Sequence, residues 1–183
     1  MRVNLFSMKY MLLAISSMAF FSFSLLQLNW GISSDYSIKF SGKNAEGTFQ
    51  GLSGTIVFDE KDLGKSKLDV IVKANTIKTG NDTKDKHARG DSWFDIEKYP
   101  DIRFASSSFE KAGAGFLVKG KLTLHGTSKD VSIPFTFKKE GENGLFEGRF
   151  IVNRSEYGIE GNFFGFSVGE AFTIDLRVPV KPL

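Results

Sequence analysis

Two histidines are all the imidazole this chain contains, and one of them sits in its most chemically loaded stretch, DKHARGDSWFDIEKYPDIRF, Asp85–Phe104. His87 has Asp85, Asp91 and Asp95 around it, the residue types of a general base with an orienting carboxylate or of a metal site. Nucleophilic catalysis would also need a Ser, Thr or Cys within reach of that base. His87 and Asp91 are four residues apart, which on a helix is the spacing of an ordinary surface pair. Asp85 and His87 fall on different sides of such a helix, so the three or four ligands of a metal site do not converge there. His125, in the turn LHGT, is expected to be exposed. Gly51-Leu52-Ser53-Gly54 lacks the glycine two residues before the serine and precedes a strand, so it is no nucleophile elbow. Gly113-Ala114-Gly115 fails the dinucleotide fingerprint in spacing and context. The paired carboxylates (Asp59 with Glu60, Asp82 with Asp85, Asp95 with Glu97) lack apolar neighbours that would raise a pKa. No catalytic residue, metal site or cofactor is expected.

The elements that hold this stretch are strands. FTIDLRVPV puts Phe172, Ile174, Leu176 and Val178 on one side, with Thr173, Asp175 and Arg177 on the other. GFLVKGKLTL repeats the pattern, and KLDVIVKA, DIRFAS, VSIPFTF and FEGRFIV follow it with minor breaks. Such alternation marks strands with one wet and one dry face. Turn signals divide the chain into eight of them, about 30–41, 46–59, 66–77, 101–110, 115–125, 130–139, 144–153 and 169–180. Short connections imply antiparallel neighbours, and about eight strands is the number at which a closed barrel fills itself or holds one small ligand. The fold class expected is all-β, an eight-stranded antiparallel barrel. The connection from Thr79 to Pro100 is too long for a turn. Asn81 or Asp82 can cap a helix that Gly90 ends, and SWFDIEKY reads as a further short helix before Pro100. A helical excursion thus interrupts the barrel between its third and fourth strands.

Residues 1–28 differ from the rest. Arg2 and Lys9 are their only charges, and Met11 to Leu28 has none. That is the pattern of an export signal, cleaved or retained as an anchor. Residues 29–183 then form one domain outside the cytoplasm, periplasmic or secreted. Net charge is +3, with 24 basic and 21 acidic residues; without Arg2 and Lys9 it is 22 against 21, or +1. The basic residues form no stripe, so nucleic acid is not an expected partner. There is no cysteine to staple the fold.

Phenylalanine is abundant. Fifteen of the 19 lie beyond residue 28, and Phe40, Phe104, Phe116, Phe135, Phe150 and Phe172 fall on the apolar parity of a strand. They either fill the barrel or line a pocket for an apolar ligand. Trp93 and Phe94, on the helical excursion, plug the barrel mouth or line its entrance.

From Trp30 to Pro179 the chain resembles the YceI-like family of lipocalin-like, polyisoprenoid-binding exported bacterial proteins. The resemblance rests on YSIKF (Tyr36–Phe40) after Trp30, on Gly47-Thr48-Phe49 with GLSG, and on Trp93-Phe94 followed by YPDIRF (Tyr99–Phe104). It continues in GKLTLHGTSK (Gly120–Lys129) and NRSEYGI (Asn153–Ile159). The family often carries a histidine just before the serine of its first strand, where this chain has Tyr36. The resemblance implies a barrel with a helical segment at its mouth and a long apolar tail inside, and no enzyme. Strand parity then puts Phe40, Ile56, Val72, Phe104, Leu122, Phe150 and Ile174 on the cavity wall, under a lid of Trp93 and Phe94. Asn153 and Arg154, or Lys84, Lys86 and Arg89, meet a polar head or serve the surface and the structure.

Burying a methylene contributes about 0.8 kcal/mol, so a forty-carbon tail drawn from water would exceed the affinity ceiling near 18–21 kcal/mol. Drawn from a bilayer, its transfer is near neutral, which makes the barrel a carrier or store in transient contact with membrane. Two rivals stand beside this expectation. One is a hydrolase using His87 with Asp91 on a bound lipid; the other is a solid, ligand-free barrel serving as a stress-related partner-binding module. A homodimer is compatible with any of the three.

Overall fold

A computed structural model describes residues 29–161 and 167–183; the export-signal reading falls on 1–28, outside them. Ten strands form one antiparallel sheet: β1 (Asn29–Ile32), β2 (Ser37–Gly42), β3 (Ala45–Phe49), β4 (Ser53–Val57), β5 (Lys67–Lys73), β6 (Asp101–Ala112), β7 (Gly115–Leu124), β8 (Thr127–Glu140), β9 (Asn143–Asn153) and β10 (Ala171–Pro182). One helix, α1 (Asp82–Arg89), stands between β5 and β6. β10 pairs with β9 on one side and with both β1 and β2 on the other, which closes the sheet. β1 and β2 run along the same partner, Trp30 opposite Pro182 and Gly42 opposite Phe172, so they are one strand broken by a bend. β3 and β4 are likewise one strand, paired with β2 and with β1 and β5. The ten segments therefore make a closed barrel of eight antiparallel strands.

The breaks have a local cause. Gly51 has φ +71 and Gly54 φ +130, conformations that side chains oppose. A Cβ on Gly54 would stand 2.2 Å from the Asp69 carbonyl oxygen. The two bends are tied together by Tyr36, whose hydroxyl accepts the Leu52 amide at 3.0 Å. Tyr36 thus has a structural task here, between the two apolar clusters of the core.

A third irregularity lies in β6, where the register with β7 shifts between Ser106 and Ser108. A bulge adds one residue and reverses the parity beyond it. Phe104 and Phe109 consequently both join the core, although strict alternation would turn Phe109 to solvent. On the wet face the alternating charges pair across strands, Arg103 binding Asp69 through two bonds of 2.8 and 2.7 Å and Lys121 reaching Asp130 at 2.9 Å.

One end of the barrel is filled by rings. Phe58, 1% exposed, has the rings of Phe116, Phe135, Phe137 and Phe146 within 5.1–5.5 Å of its own and that of Phe109 at 6.1 Å. Trp30 packs edge-on against Phe137 at 5.3 Å and donates its indole N–H to the Phe58 carbonyl at 3.0 Å. Asn29 and Leu183 meet at this end through a 3.0 Å backbone bond. Tight approach elsewhere needs glycine: Phe40 lies over Gly47 and Phe172 over Gly42, each opposite its partner across a strand pair, where a Cβ would come within 2.6 and 2.8 Å of the ring.

Candidate functional site

Above the aromatic plug the barrel is hollow. A cavity of about 640 Å³ takes its walls from β2 to β10 and its roof from α1 and the segment after it. Phe40, Ile56, Val72, Phe104, Leu122, Phe150 and Ile174, the residues that strand parity singles out, all line it, and so do Trp93 and Phe94. Ile38, Phe49, Val70, Ile102, Val118, Ile133 and Val152 belong to the same wall. The choice between a filled barrel and a pocket is settled by position. Phe116, Phe135 and Phe146 serve the plug, with the latter two also flooring the cavity, whereas Phe40, Phe104, Phe150 and Phe172 line open space.

The roof is fastened by polar contacts. Asn81 caps α1, its side-chain oxygen accepting the Lys84 amide at 3.0 Å. Lys78 and Thr48 exchange two backbone bonds of 2.8 and 2.9 Å, which stitch the segment before α1 to β3. Asp85 is the anchor. Only 2% exposed, it accepts the amide and the hydroxyl of Thr79, both at 2.7 Å, and faces the Lys78 ammonium at 3.1 Å. Arg89 adds bonds to the carbonyls of Asn75 and Ile77 at 2.9 and 3.0 Å. The sequence offers no sign that Asp85 is buried, because a carboxylate in a polar first turn looks the same when solvated.

The segment after α1 folds as consecutive turns instead of the expected second helix. Asp95 takes φ +43, and its amide returns to the Gly90 carbonyl at 2.9 Å. This brings Phe94 edge-on to Phe49 at 5.5 Å and lays Trp93 over Gly161, where a Cβ would stand 2.4 Å from the indole nitrogen. Lys84, His87 and Ala88 share the face of α1 that borders the cavity. α1 ends at Arg89, so Asp91 lies beyond it and accepts from the Ser92 hydroxyl at 3.2 Å. His125 is partly buried, correcting the expected exposure. Its Nδ1 stands 3.2 Å from the Tyr157 carbonyl and its ring meets Tyr99 at 4.8 Å, held by a turn in which it takes φ +51. No group of three His, Asp or Glu among the described residues is placed to hold a metal.

Arg154 is the charged residue of the cavity wall that the chain buries, at 9% exposed. It opens the short 3-10 turn Arg154–Tyr157 at the end of β9. Its Nε, Nη1 and Nη2 donate to the carbonyls of Gly169 (3.0 Å), Ile159 (2.6 Å) and Val168 (3.2 Å), and its plane lies 5.1 Å from the Trp93 ring. One side chain thereby ties the lid to two stretches of the loop between β9 and β10. Asn153, its neighbour, bonds Glu156 at 2.9 Å.

Burial raises the pKa of Asp85, but the bonds from Thr79 and Lys78 outweigh it and hold the carboxyl below its ordinary 3.8. The stabilisation is therefore complete above 3.8 and is lost as pH falls through the lowered value. The roof is expected to stay fastened between about pH 5 and pH 8, as read from tryptophan fluorescence, and to loosen only below 3.8. Asp85→Asn is expected to remove that acid step and to cost about 1–3 kcal/mol at neutral pH through donors left unpaired. A fluorescence transition near pH 6 in the wild type would contradict this account.

Residues 30–180 match the YceI-like domain. Over 133 residues the chain is 30% identical to a UPF0312 protein of Photorhabdus laumondii, a match that covers 65% of this chain and 69% of that protein. Across the curated relatives it matches first, the aligned part spans 57% to 69% of their length. Among solved structures, BcnA of Burkholderia cenocepacia superposes with a TM-score of 0.76 at 23% identity, over 81% of this chain and 99% of that one. A polyisoprenoid-binding domain from Saccharophagus degradans, implicated in plant cell wall breakdown, superposes with a TM-score of 0.64 at 15% identity, over 85% and 99% of the two chains.

Proposed function

The chain belongs to the YceI-like family, and on that premise we propose that its barrel carries or stores one long apolar chain, a polyisoprenoid or comparable amphiphile, outside the cytoplasm. The observation that carries this reading is the apolar cavity of about 640 Å³ inside the barrel, floored by packed rings and roofed by a fastened lid. The Saccharophagus domain of the same fold is a polyisoprenoid binder, which supports the choice of ligand class. At roughly 30 Å³ per methylene-sized group, the figure for water in its liquid, the cavity holds about twenty carbons. A chain of that length drawn from water gains about 16 kcal/mol at 0.8 kcal/mol per methylene, close to the practical ceiling. Drawn from a bilayer it gains little, so the barrel exchanges its cargo with membranes. An isoprenoid longer than about four units keeps its remainder at the mouth.

Native mass spectrometry of the protein from the exported fraction of its host, repeated after organic extraction, tests the reading. A stoichiometric apolar adduct is expected. Affinity across prenols of increasing length is expected to rise and then level off near twenty carbons. An apo mass together with no uptake of any offered prenyl or fatty chain would overturn the proposal.

A further inference from the structure

We infer that cargo enters and leaves through the side of the barrel, by a window between β8 and β9, while the roof stays shut; this rests on the carrier reading above. The β8–β9 ladder runs from Glu140 opposite Asn143 to Phe135 opposite Gly148 and stops there. Beyond that point Thr127–Pro134 pair with β7 alone and Arg149–Asn153 with β10 alone. The pair that would continue the ladder is Pro134 with Arg149, and a proline has no N–H to give it. At the far end the two strands are drawn together again, where His125 Nδ1 in the β7–β8 turn stands 3.2 Å from the Tyr157 carbonyl. The opening so framed is about 20 Å long, at the rise of a strand from Thr127 to Pro134.

Among the described residues no polar side chain straps this opening. On the outer face Ser128 and Asp130 of β8 bond back to Thr123 and Lys121 of β7, and Arg149 of β9 bonds to Asp175 of β10. Lys138 and Glu147 do reach from β8 to β9, on the paired side of the split. What shuts the window is packing: Ile133 and Val152, both buried, belong to its inner face and to the cavity wall. Its outer lip carries Ile151, 65% exposed, the only large apolar side chain so open within a described strand. At the split the wall is thin, since Glu147 and Gly148 border the cavity and also an outer groove shared with Arg149 and Asp175. A chain drawn from a bilayer thus meets apolar side chains on both faces of the opening, and it replaces the contacts that it parts. Lifting the roof instead breaks the two backbone bonds between Thr48 and Lys78. A net hydrogen bond is worth roughly fivefold in an opening equilibrium, which sets the roof about twenty-five-fold behind.

The chain has no cysteine, so a pair of introduced thiols can be bridged selectively. Ser132→Cys with Ile151→Cys uses exposed positions that would face each other if the ladder ran on, and a short bismaleimide then straps the window from outside. Asp130→Cys with Asn153→Cys is a second strap of the same kind, should the first variant fail to fold or to bridge. Thr48→Cys with Lys78→Cys, opposite each other on the backbone, straps the roof. Transfer of retinol, or of a fluorescent fatty acid, from loaded protein to phosphatidylcholine vesicles is followed by stopped flow, each variant before and after bridging. Bridging the window is expected to slow transfer about tenfold or more, because only the bonded roof is left to open. Bridging the roof is expected to leave the rate unchanged. Transfer that ignores both window straps, or that slows with the roof strap, overturns the window and leaves the carrier reading standing. Failure of the wild-type protein to take up either probe overturns both.

Discussion

Phe58→Ala is expected to lower the unfolding free energy by about 3–5 kcal/mol, the cost of emptying a large aromatic site in a packed core. Five phenylalanine rings stand around Phe58, contributed by β6, β7, β8 and β9, and Trp30 of β1 is bonded to its carbonyl. These rings come from strands that surround the plug on several sides, so no single neighbour can collapse into the vacancy. Urea denaturation reads the effect as a lower midpoint at unchanged slope. Phe150→Ala supplies the contrast. That ring borders space that is already open, so its removal is expected to cost clearly less stability while enlarging the cavity. Equal losses for the two variants would mean that the plug and the wall are not physically distinct.

That distinction was hidden in the sequence, and the reason is instructive. Strand parity reports which side of a strand is dry, and it placed Phe40, Phe104, Phe116, Phe135, Phe150 and Phe172 on the dry side alike. Whether a dry side meets another ring or a void depends on height along the barrel axis, which parity does not carry. Height follows from register, and register was altered by two broken strands and one bulge. The break at Gly51 and Gly54 falls inside 46–59, which alternation reads as one strand. The bulge at Ser106–Ser108 gave no sign in the sequence, and so Phe109 escaped notice. Legible by contrast were the eight-strand meander, the helical excursion with its Asn81 cap and its end at Gly90, and the wall residues on regular stretches such as Leu122 and Ile174. The turns of 91–98 stand where SWFDIEKY before Pro100 suggests a second short helix. What decides there is Asp95 in the left-handed region, pinned by its bond to Gly90. Asp85 and Arg154 show the same limit for charge. Each is buried by chain segments remote in sequence or brought back by a turn, and composition treats both as ordinary surface residues.

The largest functional effect is expected from filling the cavity without touching its polar parts. Val72 on β5 and Ile174 on β10 belong to the cluster beneath the lid, with Ile174 flanked across the sheet by Phe40 and Phe150. Both point into open volume, so a Val72→Trp, Ile174→Trp double variant is expected to keep the barrel, which circular dichroism and a cooperative melt would show. Overpacking a filled core costs about 1–3 kcal/mol; here the added rings enter space that had no neighbours. They displace cargo instead. Excluding only three methylenes of a bound chain forfeits about 2.4 kcal/mol, or roughly fifty-fold in Kd, and two indoles exclude at least that much. A twenty-carbon prenol is therefore expected to lose about fifty-fold or more in affinity, and shorter chains progressively less. Thr136→Trp, on the exposed face of β8, adds the same ring outside the barrel and is expected to leave uptake unchanged. Retained affinity in the double variant, with the fold intact, would place the bound chain on the outer surface. The interior would then be a structural void and no container.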